Sequence, residues 1–188
     1  MKKRTSAAPQ TSGEDMRSIV IFSSKTGNTE RYAKWIAEDL GTKAVPANKV
    51  KVKDLKEYDT IIYGAGIYAE RINGIKFVRK NIKKLGGKRI IVFANGLSFD
   101  DKESIDKMKE KNFTTDELKQ IEFFYMRGAF YMEKLPLKEK MMMTVVKKAM
   151  KDKEDLEEDE KMLLDALNNP FDHVNKANIK KIIDEISK

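Results

Sequence analysis

The chain has 188 residues, 40% hydrophobic and 36% charged, with a formal net charge of +8, one histidine and no cysteine. The missing cysteines exclude disulfides, thiolate nucleophiles, zinc–cysteine sites and iron–sulfur ligation, and the lone His173 excludes histidine clusters, so redox chemistry here needs an organic cofactor. The cations are spread along the chain (Lys49, Lys51, Lys53 and Lys56, then Arg79, Lys80, Lys83, Lys84, Lys88 and Arg89) without interleaved aromatics, which argues for solvated faces that steer an acidic protein partner and against nucleic-acid binding.

Residues 1–15 place Lys2, Lys3 and Arg4 ahead of a Ser-, Pro- and Gln-containing stretch with no apolar segment behind it. They read as a disordered tail or a cloning remnant, not a secretory signal. The domain is taken as 16–188, with a core over 17–135 and C-terminal helices over 136–188. Residues 18–23 (SIVIFS) predict a buried strand. Residues 27–40 predict a helix, with Tyr32, Ala33, Trp35, Ile36, Ala37 and Leu40 at helical spacing and Gly41 as its stop. A brief strand over 43–47 is weakened by Pro46. A third strand is expected over 58–64, a helix over 74–85 closed by Gly86-Gly87, and a fourth strand over 89–94. Helical pieces follow over 100–111 and 115–119, the second capped by Thr114 or Thr115. The fifth strand, 121–130, is expected to break near Gly128. Beyond it come a helix over 137–151 with a Met- and Val-rich stripe among lysines, an acidic block over 154–160, a helix over 159–167, a break at Pro170 and a last helix over 178–186. No apolar run approaches the ~20 residues of a membrane span. With the absence of cysteine, this gives the expectation of a cytoplasmic protein.

Strands alternating with amphipathic helices imply right-handed βαβ units and a parallel sheet covered on both faces. Five strands fit an α/β doubly wound sheet of order 2-1-3-4-5, whose ligand lies beyond the carboxyl ends of strands one and three. The loops to inspect are therefore 24–29, 64–71 and 95–99.

Ser24-Lys25-Thr26-Gly27-Asn28-Thr29 lies between the first strand and its helix. A phosphate there would meet hydroxyls of Ser24, Thr26 and Thr29, the unpaired N–H groups and positive dipole end of the helix, and the charge of Lys25. Gly27 permits close backbone approach. The spacing lacks the G-x-x-x-x-G-K-[ST] of a nucleotide-hydrolysing loop. Gly64-Ala65-Gly66-Ile67-Tyr68-Ala69 spells G-x-G-x-x-A, but it does not open a helix in the first βα unit. The next strand also ends without an acidic residue, so a dinucleotide fingerprint is rejected.

The stretch IFSSKTGNTE, residues 21–30, resembles the FMN-phosphate signature of the flavodoxins, [T/S]-x-T-G-x-T. TIIYGAGIY (60–68) and RIIVFANG (89–96) extend that resemblance over about residues 18–130. It implies a flavodoxin-like fold holding FMN, with Ser24, Lys25, Thr26, Gly27, Asn28 and Thr29 at the phosphate. Ala65, Gly66, Ile67 and Tyr68 would then form one ring loop, and Asn95, Gly96 and Leu97 the other. The resemblance implies that a peptide near Gly66 offers its carbonyl to the reduced flavin, and that Tyr68 stacks on the ring. The second loop here, NGLSFDD, lacks the family's usual tyrosine. Arg71 and Arg127 are expected nearby, which predicts a less negative lower potential than an acidic carrier has.

MRGAFYMEKLPLKEKMMMTVVKKAM, residues 126–150, is loosely similar to the flavodoxin-like menaquinone-dependent protoporphyrinogen oxidases. That similarity implies a quinone or tetrapyrrole substrate near Tyr125, Arg127, Phe130 and Tyr131; the apolar, lysine-rich helix 137–151 itself leaves open substrate docking or peripheral membrane contact. The plainer expectation is that 137–151 packs on the sheet with its lysines outward. Three readings stand: an electron carrier docking an acidic redox partner, a flavin oxidoreductase acting on an aromatic substrate, and a cofactor-free interaction domain. His173 is expected to be a surface residue or cap.

Overall fold

The computed structural model describes residues 17–97 and 101–188. The expected tail over 1–15 and Ser98, Phe99 and Asp100 of the second ring loop lie outside the described residues. The first strand, β1 (Ser18–Ser23), forms as expected from its apolar run. Helix α1 (Asn28–Asp39) follows, and β2 (Ala44–Pro46) then lies on the sheet edge, where a proline removes no ladder bond. β3 (Thr60–Tyr68) is central and pairs parallel with both β1 and β5 (Arg89–Gly96). β6 (Glu122–Arg127) closes the other edge. Across the sheet the order is β2-β1-β3-β5-β6. This is the expected 2-1-3-4-5 once the short strand β4 (Arg71–Ile72), which pairs antiparallel with β3, is set aside.

The central strands bury both faces, so their sequences are continuous apolar runs. Successive side chains alternate between faces. Ile19, Ile21, Ile61, Tyr63, Ile90 and Val92 face one layer, where Leu55, Val78 of α2 (Lys76–Asn81) and Phe113 cover them. Val20, Phe22, Ile62, Ile91 and Phe93 face the other, under Tyr32 and Ile36 of α1 and Ile182 and Ile186 of α7 (Lys180–Ile186). The C-terminal helix thus completes the second layer of the main core.

Two boundaries differ from expectation for local reasons. β3 runs on past residue 64 because Gly64 and Gly66 stay extended. At Gly64 a Cβ would stand 1.9 Å from Cζ of Phe93, so glycine there makes room for that buried ring. The fifth strand does break at Gly128. Its N–H donates to the Gly96 carbonyl at 2.7 Å, and a Cβ would come within 2.9 Å of the same oxygen. The chain then leaves the sheet as β7 (Ala129–Phe130), which pairs with β8 (Phe171–Asp172) in a separate ribbon. Between β5 and β6 lie α3 (Lys102–Asn112) and α4 (Thr115–Leu118), the latter opened by a Thr114–Glu117 capping box. Helices α5 (Leu137–Lys151) and α6 (Glu158–Asn168) form a pair with a third apolar cluster, Phe130, Ala166 and Leu167, beneath it. Among the described residues no helix is long and apolar enough to cross a membrane.

Candidate functional site

A cavity of about 930 Å³ opens beyond the carboxyl ends of β1, β3 and β5. This is where strand order reverses in a doubly wound sheet. It brings together Lys25, Thr26, Asn28 and Thr29 from the first loop, Gly66, Ile67 and Tyr68 from the end of β3, and Asn95, Gly96 and Leu97 from the end of β5. Ser24, Gly27 and Ala65 are not on its wall. Ser24 Oγ accepts the Gly27 N–H at 3.1 Å, Gly27 is the left-handed residue (φ 90°) entering α1, and Ala65 is fully buried in the sheet core.

The first loop is built differently in detail from the expected hydroxyl cradle. No side chain caps α1, so its first-turn N–H groups and dipole face the cavity end of the loop without a competing acceptor. At Gly27 no atom lies within 4 Å of where a Cβ would stand. The neighbouring side chains, however, are committed to the protein. Thr29 Oγ1 donates to Asn95 Oδ1 at 2.7 Å, tying α1 to β5, and Asn28 Nδ2 donates to the Ala129 carbonyl at 2.7 Å, tying it to β7. Lys25 pairs with Glu139 of α5 at 2.9 Å, and that contact holds the Glu139 carboxyl below the usual carboxylate range. What the loop offers an anion is its backbone, Thr26 and a lysine shared with α5.

Tyr68 stands between this loop and the end of β3. Its ring folds back over Gly66, where a Cβ would meet Cε2 at 3.1 Å, and Lys25 Nζ lies 4.6 Å from the ring centroid. Burial pushes its phenol up, while a hydrogen bond with Thr26 and the Lys25 charge oppose that shift. The Gly66 carbonyl accepts the Asn73 N–H at 2.9 Å and belongs to the hairpin. The left-handed residues of this loop are instead Ala69 (φ 45°) and Glu70 (φ 61°), the two-residue turn joining β3 to β4. Both lack glycine's freedom, so the turn is strained by about 1–2 kcal/mol per residue. It persists because Asn112, buried at the end of α3, clamps it. Asn112 Oδ1 accepts the Ile72 N–H at 2.9 Å, and its Nδ2 donates to the carbonyls of Glu70 at 2.9 Å and Met108 at 2.8 Å. Nothing in the pattern around Asn112 signalled this role, since it rests on contacts 40 residues away.

The expected cations near the ring loops are replaced by others. The Arg71 guanidinium turns to the Lys111 carbonyl, and neither it nor Arg127 is on the cavity wall. Lys25, Lys107, Lys111 and Lys138 line it against Glu70 and Glu139, so the excess is still positive. Of the residues suggested for a substrate, Phe130 and Tyr131 line the cavity, whereas Tyr125 and Arg127 do not. His173 stays outside, its ring 4.9 Å from that of Phe171 and its backbone N–H donated to the Gly128 carbonyl. The helix 137–151 does not lie on the sheet as expected. Met142, Met143 and Val146 roof the cavity and meet Met162 and Leu163 of α6, making an apolar outer compartment with Met108 and Leu135. Among the described residues no cluster of acidic or histidine side chains can hold a metal.

The chain is 33% identical over 105 residues to an uncharacterised protein of Methanocaldococcus jannaschii, a match covering 52% of this chain and 69% of that one. Similar solved structures include oxidised flavodoxin 2 from Bacillus cereus, at 18% identity, 79% and 93% coverage of this and that chain, and a TM-score of 0.44. A flavodoxin from the domain Archaea has 16% identity, 81% and 97% coverage and a TM-score of 0.39. A family model described as the flavodoxin domain matches residues 19–157. With the doubly wound sheet and the cavity at its switch point, that match over well more than half the chain settles the family: this chain belongs to the flavodoxin domain family.

Proposed function

We propose that the cavity binds FMN and that the protein moves electrons through it, to or from a protein partner or a small aromatic substrate. The observation that carries this reading is the continuity of one cavity from the uncapped start of α1 to the ends of β3 and β5. The residues fit the group. The backbone of 26–29 with Lys25 suits a phosphate, and Tyr68 with Ile67 and Leu97 suits an aromatic ring system. Gly66, Asn95 and Gly96 supply the polar edge. FMN would supply the one- or two-electron chemistry that these side chains lack. The protein's part is to orient the ring, exclude water beneath α5, and surround it with lysines that favour a negatively charged reduced form. A cytoplasmic location belongs to the same proposal.

One observation favours a second reading, a flavin-dependent oxidoreductase of the protoporphyrinogen oxidase type using a quinone acceptor. The outer compartment between α3, α5 and α6 is lined by Met108, Met142, Met143, Met162 and Leu163, and methionines adapt to flat apolar ligands. A carrier docking an acidic partner has no need of such a chamber.

Titration of the flavin-free protein with FMN and with riboflavin, which lacks the phosphate, tests the cofactor assignment. FMN is expected to bind at least tenfold tighter. Thr26→Asp, which sets a carboxylate on the cavity wall beside the start of α1, should erase that preference while the fold persists. Equal affinity for both flavins, or none for either, would overturn the assignment. Anaerobic turnover with protoporphyrinogen and a quinone, against reduction by a ferredoxin or NADPH reductase, separates the two readings.

A further inference from the structure

The roof helix α5 is apolar on both sides. Its inner face closes the cavity, yet its outer face leaves Leu137 74%, Met141 64% and Val145 69% exposed. Leu137, Met141 and Val145 are spaced four residues apart and form one stripe. Lys148 and Lys151 stand on the same exposed face, and among the described residues neither makes an ion pair. Several other helices carry acidic partners for some of their lysines. α1 pairs Lys34 with Glu30, α3 pairs Lys102 with Asp106 and Lys107 with Glu103, and α7 pairs Lys180 with Asp184. The one acidic residue of α5, Glu139, is turned inward onto Lys25. This face therefore presents aliphatic and thioether side chains together with uncompensated positive charge.

We propose that α5 docks the protein on an anionic lipid surface, with Leu137, Met141 and Val145 entering the headgroup boundary and Lys148 and Lys151 meeting the lipid phosphates. Such a pairing of apolar stripe and lysines is the composition of an interfacial helix. The other occupants fit less well. Protein interfaces are enriched in aromatics and arginine, which this face lacks, and depleted of lysine, which it carries. Residues 1–16 contain no aromatic or branched aliphatic side chain with which to cover it.

Flotation of the full chain, purified as it is, with phosphatidylglycerol–phosphatidylcholine vesicles and with pure phosphatidylcholine vesicles tests this. Binding is expected only to the anionic vesicles and should weaken as salt rises. Each lysine contributes about fivefold in affinity, so the Lys148→Glu/Lys151→Glu variant should lose at least about 25-fold. Leu137→Ser/Met141→Ser/Val145→Ser should lose at least tenfold. These side chains are exposed, so an unchanged urea midpoint shows that the fold survives. Absent binding to the anionic vesicles at low salt overturns the proposal, as does equal binding by the variants. A wild-type dimer by light scattering that the triple serine variant dissolves overturns it in favour of a second copy. None of these readouts depends on flavin, so failure here leaves the cofactor assignment standing.

Discussion

The hydrogen bond from Thr29 Oγ1 to Asn95 Oδ1, 2.7 Å long and shut away from water, makes a quantitative prediction. It joins the first turn of α1 to the end of β5, so it fixes the relative position of two of the three cavity walls. Thr29→Val keeps the shape and removes the donor. The Asn95 oxygen then stays buried without a partner, which costs about 1–3 kcal/mol. With a urea m-value of about 2 kcal/mol/M, the midpoint of the flavin-free protein should fall by roughly 0.5–1.5 M. Replacing the acceptor as well, in Thr29→Val/Asn95→Leu, should return part of that loss. The double-mutant cycle is expected to give a coupling of about 1–2 kcal/mol. The assay is equilibrium urea unfolding followed by circular dichroism and Trp35 fluorescence. An unchanged flavin-free midpoint for Thr29→Val, with only FMN affinity reduced, would refute the reasoning. That outcome would mean the hydroxyl serves a bound anion and not the wall.

Three further outcomes follow from the same structure. Gly64→Ala drives a methyl into the Phe93 ring and should lower stability by about 1–3 kcal/mol in urea unfolding, with Phe93→Leu relieving the clash. Burial raises the Tyr63 phenol to about 12, and its hydroxyl donates to the Asn73 carbonyl at 3.0 Å. The unfolded chain therefore loses this proton first, near pH 10. The stability it contributes is intact below pH 10 and is lost as pH rises towards 12, by about 2–3 kcal/mol. Tyr63→Phe should flatten stability against pH in that window, as read from thermal melts. Glu139→Gln frees Lys25 from its partner and should raise FMN affinity by up to about fivefold, the scale of a partly exposed ion pair, measured by flavin fluorescence quenching.

The sheet was legible because the apolar runs 18–23, 58–64 and 89–94 have the composition of strands buried on both faces, with helical spacing between them. Gly128 as a break and Thr114 as a cap were also readable, because turn and cap chemistry is local. The site was readable only as three loops. That Thr29 bonds Asn95, that Lys25 bonds Glu139, and that Arg71 turns away to α3 depend on partners 40 to 114 residues off, and no local pattern encodes them. Gly66 shows the limit most plainly. The resemblance implied a free peptide carbonyl near it, whereas the hairpin uses the Gly66 carbonyl to accept the Asn73 N–H and places the left-handed turn at Ala69 and Glu70.

By itself the order of residues determined the topology and where a ligand can lie, since burial periodicity and right-handed crossovers leave few arrangements of five such strands. Only the tertiary structure decided what α5 does. Its methionines and lysines are compatible with packing on a sheet, roofing a cavity or meeting another surface. An amphipathic pattern specifies that a face is apolar, and long-range packing specifies what that face touches.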